Sequence, residues 1–496
     1  MRKRILIVLL CFIGVSLFCS VRNTLLFKFP YGITQMRNLY KQKRNSIDVL
    51  ILGSSHVFFD INTQPLFDDY GIAAYDLAGE GAPFWNSYFY LKEALKTQKP
   101  KLVVFEGFIS SREWLVYHHH QGIIKNFFGL KESFLKYESL WPSSPKKNRD
   151  DYIFGYRLYS ARYKDLNETD RKEFYQKGRL RESKGYIPIF ITNKAVRPSL
   201  SVTETKETLP MNEKMEKWFE RIVKLCEQHN IPLMVVVTPF AVKEDEQKRF
   251  NYLEKLAKKH SLKFINYNRP EMYDAIGLDF SKDFLDYAHF NYRGALKFSK
   301  FFGKDIKDNY SLPDRRGNKE YASWKINNTV LKNSFANLNI ADAKDADDFI
   351  QKLRENKEIK LYINTISSTR EIAESGFFKK LNVDGNTLKD GRLYGFDNGA
   401  LTELSGNKIN WRHVAKLFDK KAIFRQEKNY SDKLSAVNSL VWNGKEYIDD
   451  KNGAYIVAYD TVSREVAAIV QIIFKKENGK RSVELVKKFS LPPPVI

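Results

Sequence analysis

The chain is poor in cysteine, with three in 496 residues. Cys11 and Cys19 fall in the N-terminal apolar stretch, and Cys226 falls in a stripe of helical periodicity. No pair remains to cross-link the rest of the chain. A disulfide framework, the usual support of small secreted domains, is therefore excluded, and stability must come from a packed core. Acidic residues are also short, 59 against 82 basic ones, a net charge of +23. Such an excess attracts polyanions at long range. No nucleic-acid motif accompanies it; for an exported chain the matching polyanions are anionic lipid head groups and wall polymers, while basic residues that merely solvate the surface account for the excess equally well. Internal repeats and low-complexity tracts are absent, and no long segment is apolar-poor enough to read as disordered. Long apolar runs are absent too, with one exception at the start.

That exception covers residues 5–21, uncharged and largely apolar between Met1-Arg2-Lys3-Arg4 and Arg22. A membrane helix takes about 17–25 residues, so the stretch is at the short end. Basic residues before it place the N-terminus in the cytoplasm and the rest of the chain outside. Phe18 and Cys19 before Ser20 fit neither a small-residue cleavage site nor a lipoprotein site. The expectation for residues 1–22 is an uncleaved single-pass anchor.

At this length the chain holds more than one domain. From residue 46 to about 310 short apolar strands alternate with amphipathic helical patterns, which predicts an α/β fold on a parallel sheet. Expected strands are 49–52, 73–77, 102–105, 233–237 and 264–267. Met215, Trp218, Phe219, Ile222, Val223 and Cys226 form the clearest helical stripe and predict core packing with an inert buried thiol. Residues 110–210 interrupt the rhythm with Tyr152, Tyr156, Arg157, Tyr159, Arg162 and Tyr163, and are expected as an insertion capping the sheet's reactive edge. Leu312-Pro313-Asp314-Arg315-Arg316-Gly317-Asn318 has linker composition. A smaller α+β domain is expected over 319–496, with strands at 361–366, 454–459 and 467–474 and a helix at 346–355.

Two short motifs carry chemistry. Gly53-Ser54-Ser55-His56 ends the first apolar strand, and Asp286-Tyr287-Ala288-His289-Phe290-Asn291 closes the same domain. A small-residue turn at the carboxyl end of a parallel strand presents a hydroxyl where such sheets bind ligands. A serine needs a positioned base. Histidine can take its proton, and an Asp three residues earlier can hold the ring's tautomer. The pattern predicts a serine-dependent acyl-transfer site built from Ser55, His289 and Asp286. His118-His119-His120 is not expected to bind metal, since consecutive side chains do not converge on one ion.

This order of blocks resembles the SGNH (GDSL-like) hydrolase superfamily, whose fold is a flavodoxin-like parallel-sheet sandwich. The resemblance implies Ser55 as nucleophile, His289 as base and Asp286 as its partner. The second block looks like Tyr75-Asp76-Leu77-Ala78-Gly79-Glu80-Gly81, which implies Gly81, or else Gly79, as an oxyanion donor beside the Ser55 N–H. The third block, Pro100 to Phe108, has the strand but lacks the family's asparagine. Asn86 is the expected substitute, and Glu106 and His56 are expected to contact substrate.

The Gly-Ser-Ser variant and the single anchor are similar to the membrane-tethered branch containing the D-alanine transfer protein of teichoic-acid modification and the alginate O-acetylation proteins. That branch implies a membrane-bound O-acyltransferase as acyl donor and a surface polysaccharide or other wall glycan as acceptor. It implies transfer of an acyl group, here an acetyl, without cofactor or metal. An esterase removing acyl groups and a non-catalytic glycan-binding scaffold are the alternatives. In the second domain, Trp442-Asn443-Gly444-Lys445-Glu446-Tyr447 followed by 452–460 resembles the opening of the interleukin-like EMT-inducer domain, which implies glycan contact.

Overall fold

The computed structural model describes residues 13–14, 31–154, 183–406, 410–417, 420–428, 436–449, 452–477 and 479–491. Apart from Ile13 and Gly14, the expected anchor lies outside them, as do Cys11, Cys19 and the run Tyr156 to Tyr163. Among the described residues no helix is long and apolar enough to cross a membrane. The chain divides into two compact units, Met1–Asn328 and Thr329–Ile496.

The first unit is α/β. Its strands are β1 (Val49–Gly53), β2 (Ala74–Ala78), β3 (Leu102–Glu106), β4 (Leu233–Val237) and β5 (Lys263–Asn266). They form one parallel sheet in the order β2-β1-β3-β4-β5. Every residue of β1 to β4 is buried, because helices cover both faces of a parallel sheet and each strand becomes a continuous apolar run. The order in which successive strands are added reverses between β1 and β3, so the ligand crevice of such a sheet opens at their carboxyl ends.

The helix Glu213–Gln228 buries Met215, Trp218, Phe219, Ile222, Val223 and Cys226, as its stripe predicts. Burial pushes the Cys226 thiol up to about 12, so it is an inert core residue. The insertion contributes no strand among its described residues. Short helices carry it, including His120–Phe127, Leu140–Ser143 and Arg149–Phe154.

The segment expected as a linker runs against the sheet. Arg315 grips the buried Asp48 at the entrance to β1 with two hydrogen bonds of 2.8 Å, and its backbone N–H donates to the Gly71 carbonyl at 2.9 Å. Arg316 caps the carbonyls of Asp68 and Asp69 at the end of the helix Thr63–Tyr70. Trp324 follows, buried against Phe67 and Tyr321.

In the second unit, β6 (Ile359–Thr365), β7 (Arg392–Asp397), β8 (Ala400–Glu403), β13 (Ala454–Asp460), β14 (Val466–Glu477) and β15 (Lys480–Ser490) form an antiparallel sheet in the order β15-β14-β13-β6-β7-β8. A second antiparallel sheet holds β9 (Trp411–Leu417), β10 (Lys420–Lys428), β11 (Ala436–Trp442) and β12 (Lys445–Glu446). Asn443 and Gly444, both at positive φ, make the tight turn between β11 and β12.

The Arg315–Asp48 clasp yields a stability prediction. Removing the guanidinium leaves a buried carboxylate whose remaining ion-pair partner among the described residues is Lys101, at 3.9 Å. Arg315→Ala is expected to cost about 3 kcal/mol in denaturant unfolding. A loss below about 0.5 kcal/mol, the range of an ordinary surface change, would contradict the clasp.

Candidate active site

The turn before Ser55 is dictated by glycine. Gly53 ends β1 at φ +154°, and a Cβ there would stand 2.8 Å from Val57 Cγ2 and 2.9 Å from Glu106 Cβ. The chain turns immediately into the helix Ser55–Asp60, whose Val57 N–H bonds the Ser54 carbonyl at 3.0 Å. Ser55 is 9% exposed while Ser54 and His56 on either side are fully buried, so one hydroxyl of the pair reaches the surface.

The histidine loop is built by its aspartate. Asp286 Oδ1 accepts the backbone N–H groups of Ala288 at 2.7 Å and His289 at 2.8 Å, a side-chain turn of the kind aspartate favours. A bridge between Phe284 and Phe290 closes the loop. Asn291 then caps the helix Tyr292–Asn309 through the N–H groups of Arg293 and Gly294.

These local devices meet across 234 positions of sequence: Ser55 Oγ lies 2.8 Å from His289 Nε2. His289 Nδ1 lies 3.1 and 3.2 Å from the two carboxylate oxygens of Asp286. With Nδ1–H donated to the carboxylate, Nε2 carries the lone pair that accepts the serine proton. Burial raises the Asp286 carboxyl. The His289 hydrogen bond and charge, with the two backbone N–H groups, outweigh it and hold the acid at about 2. Asp286 therefore stays ionised across the working range of a histidine base.

The other expected contacts separate. Gly81 sits in a left-handed turn at φ +54° just after β2, beside His118 and His119. Gly79 is not an open donor: its N–H points at the Gly53 carbonyl at 3.5 Å. Asn86 does not substitute for the missing asparagine. It accepts from Ser143 at 3.4 Å and lines a small cavity with Phe89, Tyr90, Ile123, Asn126 and Phe127. Glu106 and His56 are corrections of the same kind, since neither reaches a surface where substrate could touch it. Glu106 turns beneath the sheet edge and accepts the Phe108 N–H at 2.8 Å. His56, one residue beyond Ser55, rotates about 100° round the helix into the core. It stacks on Phe108 with centroids 3.7 Å apart and lies 4.7 Å from the His289 ring. The three consecutive histidines take three different partners: His118 faces Asn126, His119 caps Gly122 and His120 bonds Tyr152.

Two residues escaped the sequence reading. Asp60 and Thr238 close a buried polar cluster with His56: His56 Nδ1 lies 2.9 Å from Asp60 Oδ2 and 3.0 Å from Thr238 Oγ1. The i, i+4 spacing of His56 and Asp60 was the available signal. Burial pushes the Asp60 carboxyl up to about 7, against the lowering influence of His289 and the Phe290 N–H. Burial also holds Asp76, on β2, well above the usual carboxylate range, and drives His56 well below the usual imidazole range.

The Asp76 shift has a definite sign. An acid raised in the folded state contributes stability that is complete below its unfolded pKa of about 4 and is lost as pH climbs through the folded value. Asp76→Asn is therefore expected to gain stability relative to the parent as pH rises from about 4 to 8. Denaturant unfolding at both pH values reads the difference, and a constant gap would contradict the burial account.

Comparison of the sequence with protein-family models and with curated proteins returns no match.

Proposed function

We propose that the chain is a serine acyltransferase of the SGNH-like class, anchored in the membrane by its N-terminus and acylating an extracytoplasmic polysaccharide. The observation that carries this reading is the Ser55–His289–Asp286 array, with its 2.8 Å nucleophile–base hydrogen bond. The strand order β2-β1-β3-β4-β5 supports it, being the flavodoxin-like order of that superfamily, with Ser55 at the switch point.

The reaction runs in two halves. Ser55 Oγ attacks the donor's acyl carbonyl while His289 Nε2 takes the hydroxyl proton. The tetrahedral oxyanion is held by the N–H groups of Ser55 and Gly81. His289 returns the proton to the departing group, leaving an acyl ester on Ser55. An acceptor sugar hydroxyl then gives its proton to His289 and attacks the ester carbonyl; the bond to Ser55 Oγ breaks, His289 returns the proton to that oxygen, and the sugar carries the acyl group away. A membrane-bound O-acyltransferase is the donor that suits an anchored protein. Water in place of sugar makes the same site an esterase.

The asparagine missing from the third block needs a replacement, and His119 fits the role. Its Nδ1 accepts the Gly122 N–H at 3.1 Å, so the neutral ring carries its proton on Nε2. Burial lowers its pKa, which favours that neutral form. Nε2 stands 3.4 Å from the position a Gly81 Cβ would take, on the exposed rim of the turn.

The reading is tested with full-length protein, an activated acetyl ester and an oligosaccharide acceptor. Ser55→Ala is expected to cut turnover by about 10³-fold or more. His119→Ala is expected to lower kcat by about 10²-fold, the effect of losing one oxyanion donor. Acetylated sugar among the products supports transfer, and acetate alone across a range of acceptors establishes an esterase. Unchanged turnover in Ser55→Ala rejects both.

A further inference from the structure

Asp60 is the last residue of the helix that begins with Ser55, and it is wholly buried. Its two oxygens serve two other parts of the unit. Oδ1 accepts the backbone N–H of Phe290 at 2.8 Å. Oδ2 accepts the Thr238 hydroxyl, just beyond β4, at 3.1 Å and faces His56 Nδ1 at 2.9 Å. One carboxyl group thereby joins the nucleophile helix, the base loop and the end of a central strand. Among the described residues, the Asp60–Phe290 bond and the Ser55–His289 pair are the hydrogen bonds between residues 55–60 and the loop 286–291.

We infer that Asp60 is a positioning residue for proton transfer between Ser55 and His289, acting through the Phe290 N–H. This inference rests on the catalytic reading above. The other bonds that hold the base loop run within its own stretch of chain or to segments other than the nucleophile helix, such as Ala241 N–H to the Tyr287 carbonyl at 2.9 Å and Asn291 Nδ2 to Thr192 Oγ1 at 3.0 Å. Asp286 bonds the loop's own N–H groups, the Phe284–Phe290 bridge pairs its two arms, and Asn291 caps the helix that follows. They shape the loop and moor it to residues 192–193 and 241, but among the described residues none of them reaches the helix that carries Ser55. The Asp60 bond does that, one peptide unit from His289. A misplacement of about 1 Å between reacting groups can cost about 10²-fold in rate. The Phe290 N–H has a second reason to need this acceptor, since Phe290 is completely buried and an orphaned buried donor is expensive.

The role requires an acceptor oxygen, not a charge, and that separates it from general structural support. Asparagine at position 60 keeps a carbonyl for Phe290 and turns its amide N–H groups toward Thr238 and His56. Alanine keeps nothing.

The test measures p-nitrophenyl acetate turnover and thermal unfolding of the full-length protein with Asp60→Ala, Asp60→Asn and Ser55→Ala. Asp60→Ala is expected to lower kcat by about 10²-fold while KM moves by less than about twofold. Asp60→Asn is expected to fold and to retain about a third of the parental kcat or more. A folded Asp60→Ala protein with parental kcat would overturn the inference. So would a folded Asp60→Asn protein that has lost as much as about 10²-fold, and this variant decides the matter alone if Asp60→Ala fails to fold. Ser55→Ala separates the two levels. Its loss of turnover beside an unaffected Asp60→Ala rejects the positioning role alone, whereas its parental turnover rejects the catalytic reading and the positioning role together.

Discussion

The hydrogen bond from Ser55 to His289 is the interaction on which the proposed function of the first unit depends. Its 2.8 Å length is set by elements far apart in sequence, so it measures how well the fold closes. Ser55 is delivered by an apolar strand that must stop at a glycine, because Val57 and Glu106 leave no room for a side chain at position 53. His289 is delivered by a loop whose own aspartate folds it. The parallel sheet brings both to the carboxyl ends of its strands. A hydroxyl and an imidazole placed there have the geometry of the base-activated nucleophile that the proposed function requires.

Around that pair the electrostatic environments diverge. Asp286 is half open to solvent, accepts two backbone N–H groups and stays ionised. Asp60, on the buried side of the same histidine, is pushed up by burial to about 7. Two carboxyl groups near one imidazole are thus held in different protonation regimes by burial and backbone donors, a division of labour common where acid and base roles must be separated. His56, stacked between Phe108 and the His289 ring, is kept uncharged by the same burial and adds no repulsion to an imidazolium forming beside it.

The parallel sheet was legible in the sequence because its central strands are buried on both faces. Val49-Leu50-Ile51-Leu52 and Leu233-Met234-Val235-Val236-Val237 are unbroken apolar runs. The edge strand β5, partly exposed, falls one residue earlier than its apolar residues suggest. In the second unit β6, β13 and β14 were legible for the same reason, whereas β10 and β15 were not. Their sequences, such as Lys420-Lys421-Ala422-Ile423-Phe424-Arg425, set lysine and arginine around a short apolar centre and pair on one covered face. At the site, Ser55, Asp286 and His289 were legible because small-residue turns and Asp-x-x-His spacing follow from local chemistry. Side-chain direction was not. Chain proximity suggested that His56 and Glu106 touch substrate, but one step along a helix or a strand turns a side chain to another face. Asp60 was missed because an aspartate ending a short helix looks solvated until its partner, Phe290 230 positions away, is in place.

The most direct measurement is the intact mass of the full-length protein after a brief reaction with an activated acetyl ester and an acid quench, followed by peptide mapping. The account predicts a single acetyl group, on Ser55, that builds up and then disappears when an acceptor is added. Acetylation spread over surface lysines with Ser55 unmodified would contradict it.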